Sequence, residues 1–221
     1  MKLKLFPLIM IGLLLGSVVA QEEAITPGME KDDSKDLKPG DIAPSWALMF
    51  APGKFEFLRT WAEEEDKKLR LIVSQPDRHA VLMSFFATWC KPCMKELPLL
   101  EEVYQKYKDE RVKFFLVDIT EATRTNPGEV YGVAYKDVPV AGPFLKNKGV
   151  TMQILFDTRG VVMKNYNAQT LPRLFLMDGN RKITLTRRGF HDGEEEKFKK
   201  DLSVEIERLL AELPPAKNET K

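Results

Sequence analysis

Apolar and polar positions fall along the chain in blocks whose periods switch between those of strands and helices. Ala80 to Phe86 (AVLMSFF) and Val112 to Ile119 (VKFFLVDI) are nearly unbroken apolar runs, the pattern of strands covered on both faces. From Cys93 to about Lys108, Leu97, Leu100, Val103, Tyr104 and Tyr107 recur at helical spacing, which predicts an amphipathic helix. Met152 to Asp157 (MQILFD) predicts a further strand. Arg173 to Asp178 (RLFLMD), the turn Gly179-Asn180 and Lys182 to Arg187 (KITLTR) predict an antiparallel hairpin. Phe198, Leu202, Ile206, Leu209, Leu210 and Leu213 predict a closing helix. Thr60 and Glu63 have the spacing of a capping box, so a short surface helix is expected ahead of Leu69. The order strand–helix–strand–helix–strand–strand–helix implies an α/β domain, a mixed central sheet with helices on both faces. There is no internal repeat and no sign of a second domain.

The two ends break this pattern. Met1-Lys2-Leu3-Lys4 places two positive charges ahead of an apolar stretch from Leu5 to Val19, and Val18-Val19-Ala20 offers small or slim residues before Gln21. Residues 1–20 therefore read as a secretory signal peptide. The stretch is short of the roughly 20 apolar residues of a bilayer span, although an uncleaved membrane tether is the competing reading. No cysteine follows it to carry a lipid. Residues 21–39 are rich in acids and poor in large apolar groups, so they read as a flexible acidic linker. Residues 40–213 form the folded domain, and 214–221 form a polar tail that begins at Pro214-Pro215. Asn218-Glu219-Thr220 fits a glycosylation sequon, which only a eukaryotic secretory route would use.

Composition narrows the function. With 221 residues, 43% hydrophobic, the chain can bury a real core, and a formal charge of +1 offers no field for nucleic acid. Export would place the protein where disulfides persist, yet two cysteines cannot build a disulfide scaffold. They stand at Cys90 and Cys93, separated by Lys91 and Pro92, where the strand AVLMSFF gives way to the helix.

That placement suits redox chemistry. A thiol attacks a disulfide only as thiolate, and a sulfur at a helix N-terminus meets unpaired N–H groups that favour the anion. Cys90 would stand there with Lys91 beside it as a further positive charge. Pro92 suits a first-turn position, where its missing N–H costs nothing. Cys93 lies about one turn further in, more shielded. A four-residue loop lies at the low end of disulfide stabilisation, which argues against a structural bond. A closed zinc site wants four ligands, and only His79 and His191 could add to the cysteines, neither at ligand spacing. No cofactor or metal is expected, and no phosphate-binding loop is visible.

PGDIAPSWAL (39–48), SFFATWCKPCMKELP (84–98), TLPRLFLMDGNRKI (170–183) and the closing helix, in that order, resemble the exported thioredoxin-like thiol–disulfide oxidoreductases. The resemblance is to the TlpA/ResA group, many of which serve cytochrome c maturation, and it covers roughly residues 38–213. It implies a thioredoxin fold with an N-terminal β-hairpin extension. It implies that Cys90 attacks and Cys93 resolves, and that Trp89, Leu171 and Pro172 bind substrate. Pro172 would be the family's cis-proline, with the Leu171 backbone turned toward an incoming extended peptide. Glu96 matches an acid that the group carries three residues after the second cysteine. One helical turn along, a partly buried carboxyl would take the Cys93 proton.

Departures from the family sharpen these expectations. Ser84 stands six residues before Cys90, where cytoplasmic thioredoxins bury an Asp, so a proton acceptor must come from elsewhere. Phe86 replaces a usual Trp. Arg173 follows Pro172 where Thr or Ser is common, and would charge the rim of the substrate groove. Residues 59–79 and 120–135 are longer than the family's loops. The expected activity is reduction of disulfides in exported envelope proteins, with a membrane electron donor for re-reduction and no nucleic-acid partner. The alternatives are an oxidant or isomerase on the same fold, which Lys91-Pro92 disfavours because strong oxidants place a His there, and a copper-binding metallochaperone. A peroxidase would need Thr where Ala87 stands.

Overall fold

The computed structural model describes residues 24–25, 36–64, 77–126, 129–130 and 133–215. The expected signal peptide and the sequon lie outside these residues, as do most of the linker and of the polar tail. No helix among the described residues is long and apolar enough to cross a membrane.

The chain enters as a two-residue strand β1 (Ala24–Ile25), and resumes as β2 (Ala47–Ala51) and β3 (Lys54–Phe57). Then come β4 (Ala80–Phe86), helix α1 (Lys91–Tyr107) and β5 (Val112–Asp118). Three short strands follow, β6 (Arg124–Asn126), β7 (Glu129–Val130) and β8 (Val133–Ala134), and then α2 (Ala141–Asn147). The chain closes with β9 (Gln153–Phe156), α3 (Val161–Asn165), β10 (Thr170–Leu171), β11 (Arg173–Met177), β12 (Ile183–Arg188) and α4 (Glu195–Glu212).

Seven strands form one mixed sheet in the order β12-β11-β4-β5-β9-β2-β3. β4, β5 and β9 run parallel, while β11, β12 and the β2–β3 hairpin are antiparallel to their neighbours. This is the expected mixed sheet, and β2–β3 is the expected N-terminal hairpin. Every residue of β4 is buried, which explains its unbroken apolar run.

Successive side chains of β4 point to opposite faces, and this locates the helices. Ser84 bonds Glu96 on α1. Phe85 instead meets Tyr166, just after α3, at a ring separation of 5.6 Å. Helices thus cover both faces. On the Phe85 side the segment before β2 crosses the sheet, with the Trp46 indole N–H on Met83 Sδ at 3.0 Å and the Tyr166 hydroxyl on the Pro44 carbonyl at 2.6 Å. On the other face α4 lies beside α1, its Phe198, Leu202, Ile206 and Leu209 buried as their spacing predicts.

Three features differ from the pattern-based expectations. No helix starts at Thr60, which belongs to a 3-10 turn over Leu58–Thr60. Glu63 is buried rather than capping: its backbone N–H is held by the Gly179 carbonyl at 3.1 Å and its carboxylate lies 3.7 Å from Arg181 Nε. The hairpin turn itself lies at Gly179-Asn180 as expected, followed by Arg181 in the left-handed region (φ 63°). Asp178 accepts the N–H groups of Asn180 and Lys182 there, each at 2.8 Å. Helix α3 and the β6–β7–β8 meander have no signal in the hydrophobic pattern, being too short to show a period.

A candidate redox site at the head of helix α1

The candidate site forms where two strands leave the sheet together. β11 pairs with β4 so that Arg173 faces Phe85. Continuing the register, Leu171 and Pro172 depart beside Phe86 and Ala87, the residues that lead to Cys90. The Leu171–Pro172 bond is cis, as expected. Cys90 is the N-cap of α1, Pro92 sits in its first turn, and the Cys93 N–H points at Cys90 Sγ at 3.2 Å. Cys90 and Cys93 are joined by a disulfide, their Cα atoms 5.3 Å apart. On reduction, the same N–H groups would stabilise the Cys90 thiolate.

The loop before the cysteines is gripped by the turn after β5. The Thr88 N–H bonds Thr120 Oγ1 at 3.0 Å, and the Trp89 indole N–H bonds Thr123 Oγ1 at 2.8 Å. Thr120 Oγ1 in turn bonds the buried Asp118 carboxylate, whose pKa burial pushes up. Residues 120–123 therefore brace Trp89, a role that motif reading did not assign to this long loop. Lys91 is exposed and Pro92 half-buried beside the pair.

Glu96 lies one turn beyond Cys93 and is 2% exposed. Ser84 Oγ donates to its carboxyl at 2.9 Å. Leu174 on β11 pairs with Ser84 and also with Arg187 on β12, so these three side chains form one row under α1 and α4. Burial raises the Glu96 pKa to about 7, against the opposing pull of the Ser84 hydrogen bond and the more distant Arg187 charge. Ser84 thus keeps a polar role at the position where cytoplasmic thioredoxins have Asp. It does so as the partner of the acid supplied by α1.

Two expectations need correction. Cys90 is not the more open sulfur: it is 0% exposed and Cys93 1%. Both Leu171 and Pro172 are buried as well, so the attacking atom is closed off in this conformation. Arg173 puts no charge on the rim. It turns inward over the Phe175 ring, donating to the carbonyls of Arg187 at 3.2 Å and Leu37 at 3.3 Å, and burial pushes its pKa down to about 10.

The Redoxin family matches residues 56–202, two thirds of the chain and the whole of this site. The chain belongs to the Redoxin family. Among curated relatives of this Redoxin chain, the thiol-disulfide oxidoreductase ResA of Bacillus thuringiensis subsp. konkukian is 32% identical over 103 residues, 47% of this chain and 51% of the relative. ResA of Oceanobacillus iheyensis is 27% identical, covering 77% and 75% of the two chains. The first of these matches spans about half the length of the relative. Among solved structures, the thioredoxin domain of a thiol-disulfide oxidoreductase from Bacteroides vulgatus superposes with a TM-score of 0.51 at 16% identity, covering 77% of this chain and 99% of that one. An uncharacterized thioredoxin-like protein from Porphyromonas gingivalis gives 0.50 at 25% identity, with 76% and 92% covered. The fold is thioredoxin-like.

Proposed function

We propose that this chain is a thiol:disulfide oxidoreductase of the cell envelope that reduces disulfides in exported proteins, apocytochrome c among its clients. The observation that carries the reading is the Cys90–Cys93 pair capping α1 with the Glu96 carboxyl buried one turn away. In the reduced protein the Cys90 thiolate attacks a client disulfide, forming a mixed disulfide and releasing one client thiolate. Glu96, half-ionised near neutral pH, takes the Cys93 proton. Cys93 sulfur then attacks Cys90 Sγ, the second client thiolate leaves, and the Cys90–Cys93 disulfide forms. The client gains two electrons, and a dithiol on a membrane carrier must restore them.

Trp89, Leu171 and Pro172 frame the approach to the pair, while Lys91 and Pro92 tune it. The basic, apolar N-terminus supports export, with cleavage after Ala20 or retention as a tether. The test combines reduction potential with alkylation. A strongly reducing pair whose Cys90 alkylates at mildly acidic pH much faster than free cysteine is expected, and Cys90→Ser should abolish insulin reduction. A Cys90 no more reactive than free cysteine would overturn the proposal. A potential near that of strong oxidants would reverse its direction, and tight Cu(I) binding without disulfide exchange would favour the metallochaperone.

A further inference from the structure

We propose that the N-terminal arm of this chain is an intramolecular ligand of its own peptide-docking edge, seated where a client's extended backbone would add. The inference rests on the proposed function for what that edge is for. Its own ground is the pairing of β1 with β10: Ala24 lies opposite Leu171 and Ile25 opposite Thr170, antiparallel. β10 is two residues long and runs directly into Pro172, beside the loop that carries Cys90. A strand on a sheet edge occupies the N–H and C=O groups that any second strand would need. One edge of two residues has room for one partner.

Two further observations fit an occupied edge. The root of the arm is tied down next to it. The Asp36 carboxylate accepts from Asn167 Nδ2 at 2.6 Å and from the Arg188 guanidinium, and Arg173 holds the Leu37 carbonyl. Asn167 is three residues before Thr170, so the arm is anchored beside the strand it pairs with. The second observation is that Cys90 is fully buried. A client disulfide cannot touch its sulfur until something yields, and the arm lies on the edge from which a client would approach. Arg173, the departure from the family's Thr or Ser after the cis-proline, here serves the arm.

A tethered ligand acts at a millimolar effective concentration. A client therefore docks only in the fraction of molecules whose edge is free, and its apparent affinity falls by that fraction. The experiment compares the full chain, the chain lacking residues 21–30, and the length-preserving double variant Ala24→Pro/Ile25→Pro. Two readouts are used: amide hydrogen exchange at Thr170 and Leu171, and steady-state reduction of a peptide disulfide. In both variants whichever of these two adjacent amides faces β1 should lose protection, and KM should fall by about 3- to 10-fold. A synthetic peptide of residues 21–29, added at millimolar concentration to the deletion variant, should restore a competitive KM. Unchanged amide protection overturns the proposal, and so does lost protection with unchanged KM. A full chain that reduces no disulfide, but whose arm still protects β10, would leave the seat standing and sink the enzymatic reading. Normal reduction with no effect of the arm would do the opposite.

Discussion

Glu63 and Glu96 are equally hidden from water, at 1% and 2% exposure, near opposite ends of strand β4. Their company differs. Glu63 lies beside the buried Arg181 guanidinium, which also bonds Glu64 at 2.9 Å, in a cluster that ties the chain before β4 to the β11–β12 turn. Among the described residues no ion pair joins Glu96 to a cation. Its direct partner is the Ser84 hydroxyl, and burial leaves its proton exchangeable near neutral pH. The same burial thus serves two ends. A carboxylate packed against a guanidinium is a fastening, whereas one packed against a hydroxyl in an apolar slot is a proton acceptor.

Substitutions at the two poles should separate these roles. Arg181→Met would leave the Glu63 charge buried without its cation, so unfolding in urea at pH 7 should show a loss of about 3–5 kcal/mol. The pH dependence of Cys93 resolution should not move. A loss confined to a few tenths would mean that the far pole is not fastened this way.

Glu96→Gln should act in the opposite direction on stability. Because the folded-state pKa is raised from 4.5 to about 7, the stability linked to this group is fully present below 4.5 and is lost as pH rises through 7. The amide does not titrate, so the variant should gain on the wild type across that window. The gain should level off above pH 7 at about 3 kcal/mol, while resolution of the mixed disulfide slows. Parallel stability–pH curves for the two proteins would refute the assignment.

The smallest effect is expected from Ser84→Ala. Its hydrogen bond favours the ionised Glu96, so removing it should raise the Glu96 titration by about 0.7 of a unit, equivalent to about 1 kcal/mol. A pH profile of Cys93 reactivity in the reduced protein reads this directly. A downward shift would show that Ser84 stabilises the protonated acid instead.

Much of the frame was legible in the residues. β4 coincides with the apolar run 80–86, α1 begins two residues before the expected helix, and the β11–β12 hairpin and α4 lie where their periods place them. Each of these is long enough for its side chains to sort between core and solvent, and that sorting is what a period records. The five residues of α3 and the short meander carry no such record. Thr60 and Glu63 misled because capping-box spacing says nothing about burial, and the sheet took Glu63 inward.

The chain alone determined that two sulfurs would meet: three residues apart at a strand-to-helix junction, they are brought within bonding range by local geometry, whatever surrounds them. Tertiary structure decided what those sulfurs can do. The Glu96 proton is movable near pH 7 because α1, Ser84 and the row ending at Arg187 close water out. Cys90 is buried, and the β10 edge is filled because residues more than a hundred positions apart, Ala24 and Leu171, pair there. Desolvation and strand pairing depend on parts of the chain that become neighbours only on folding, so they leave no spacing in the sequence to be read.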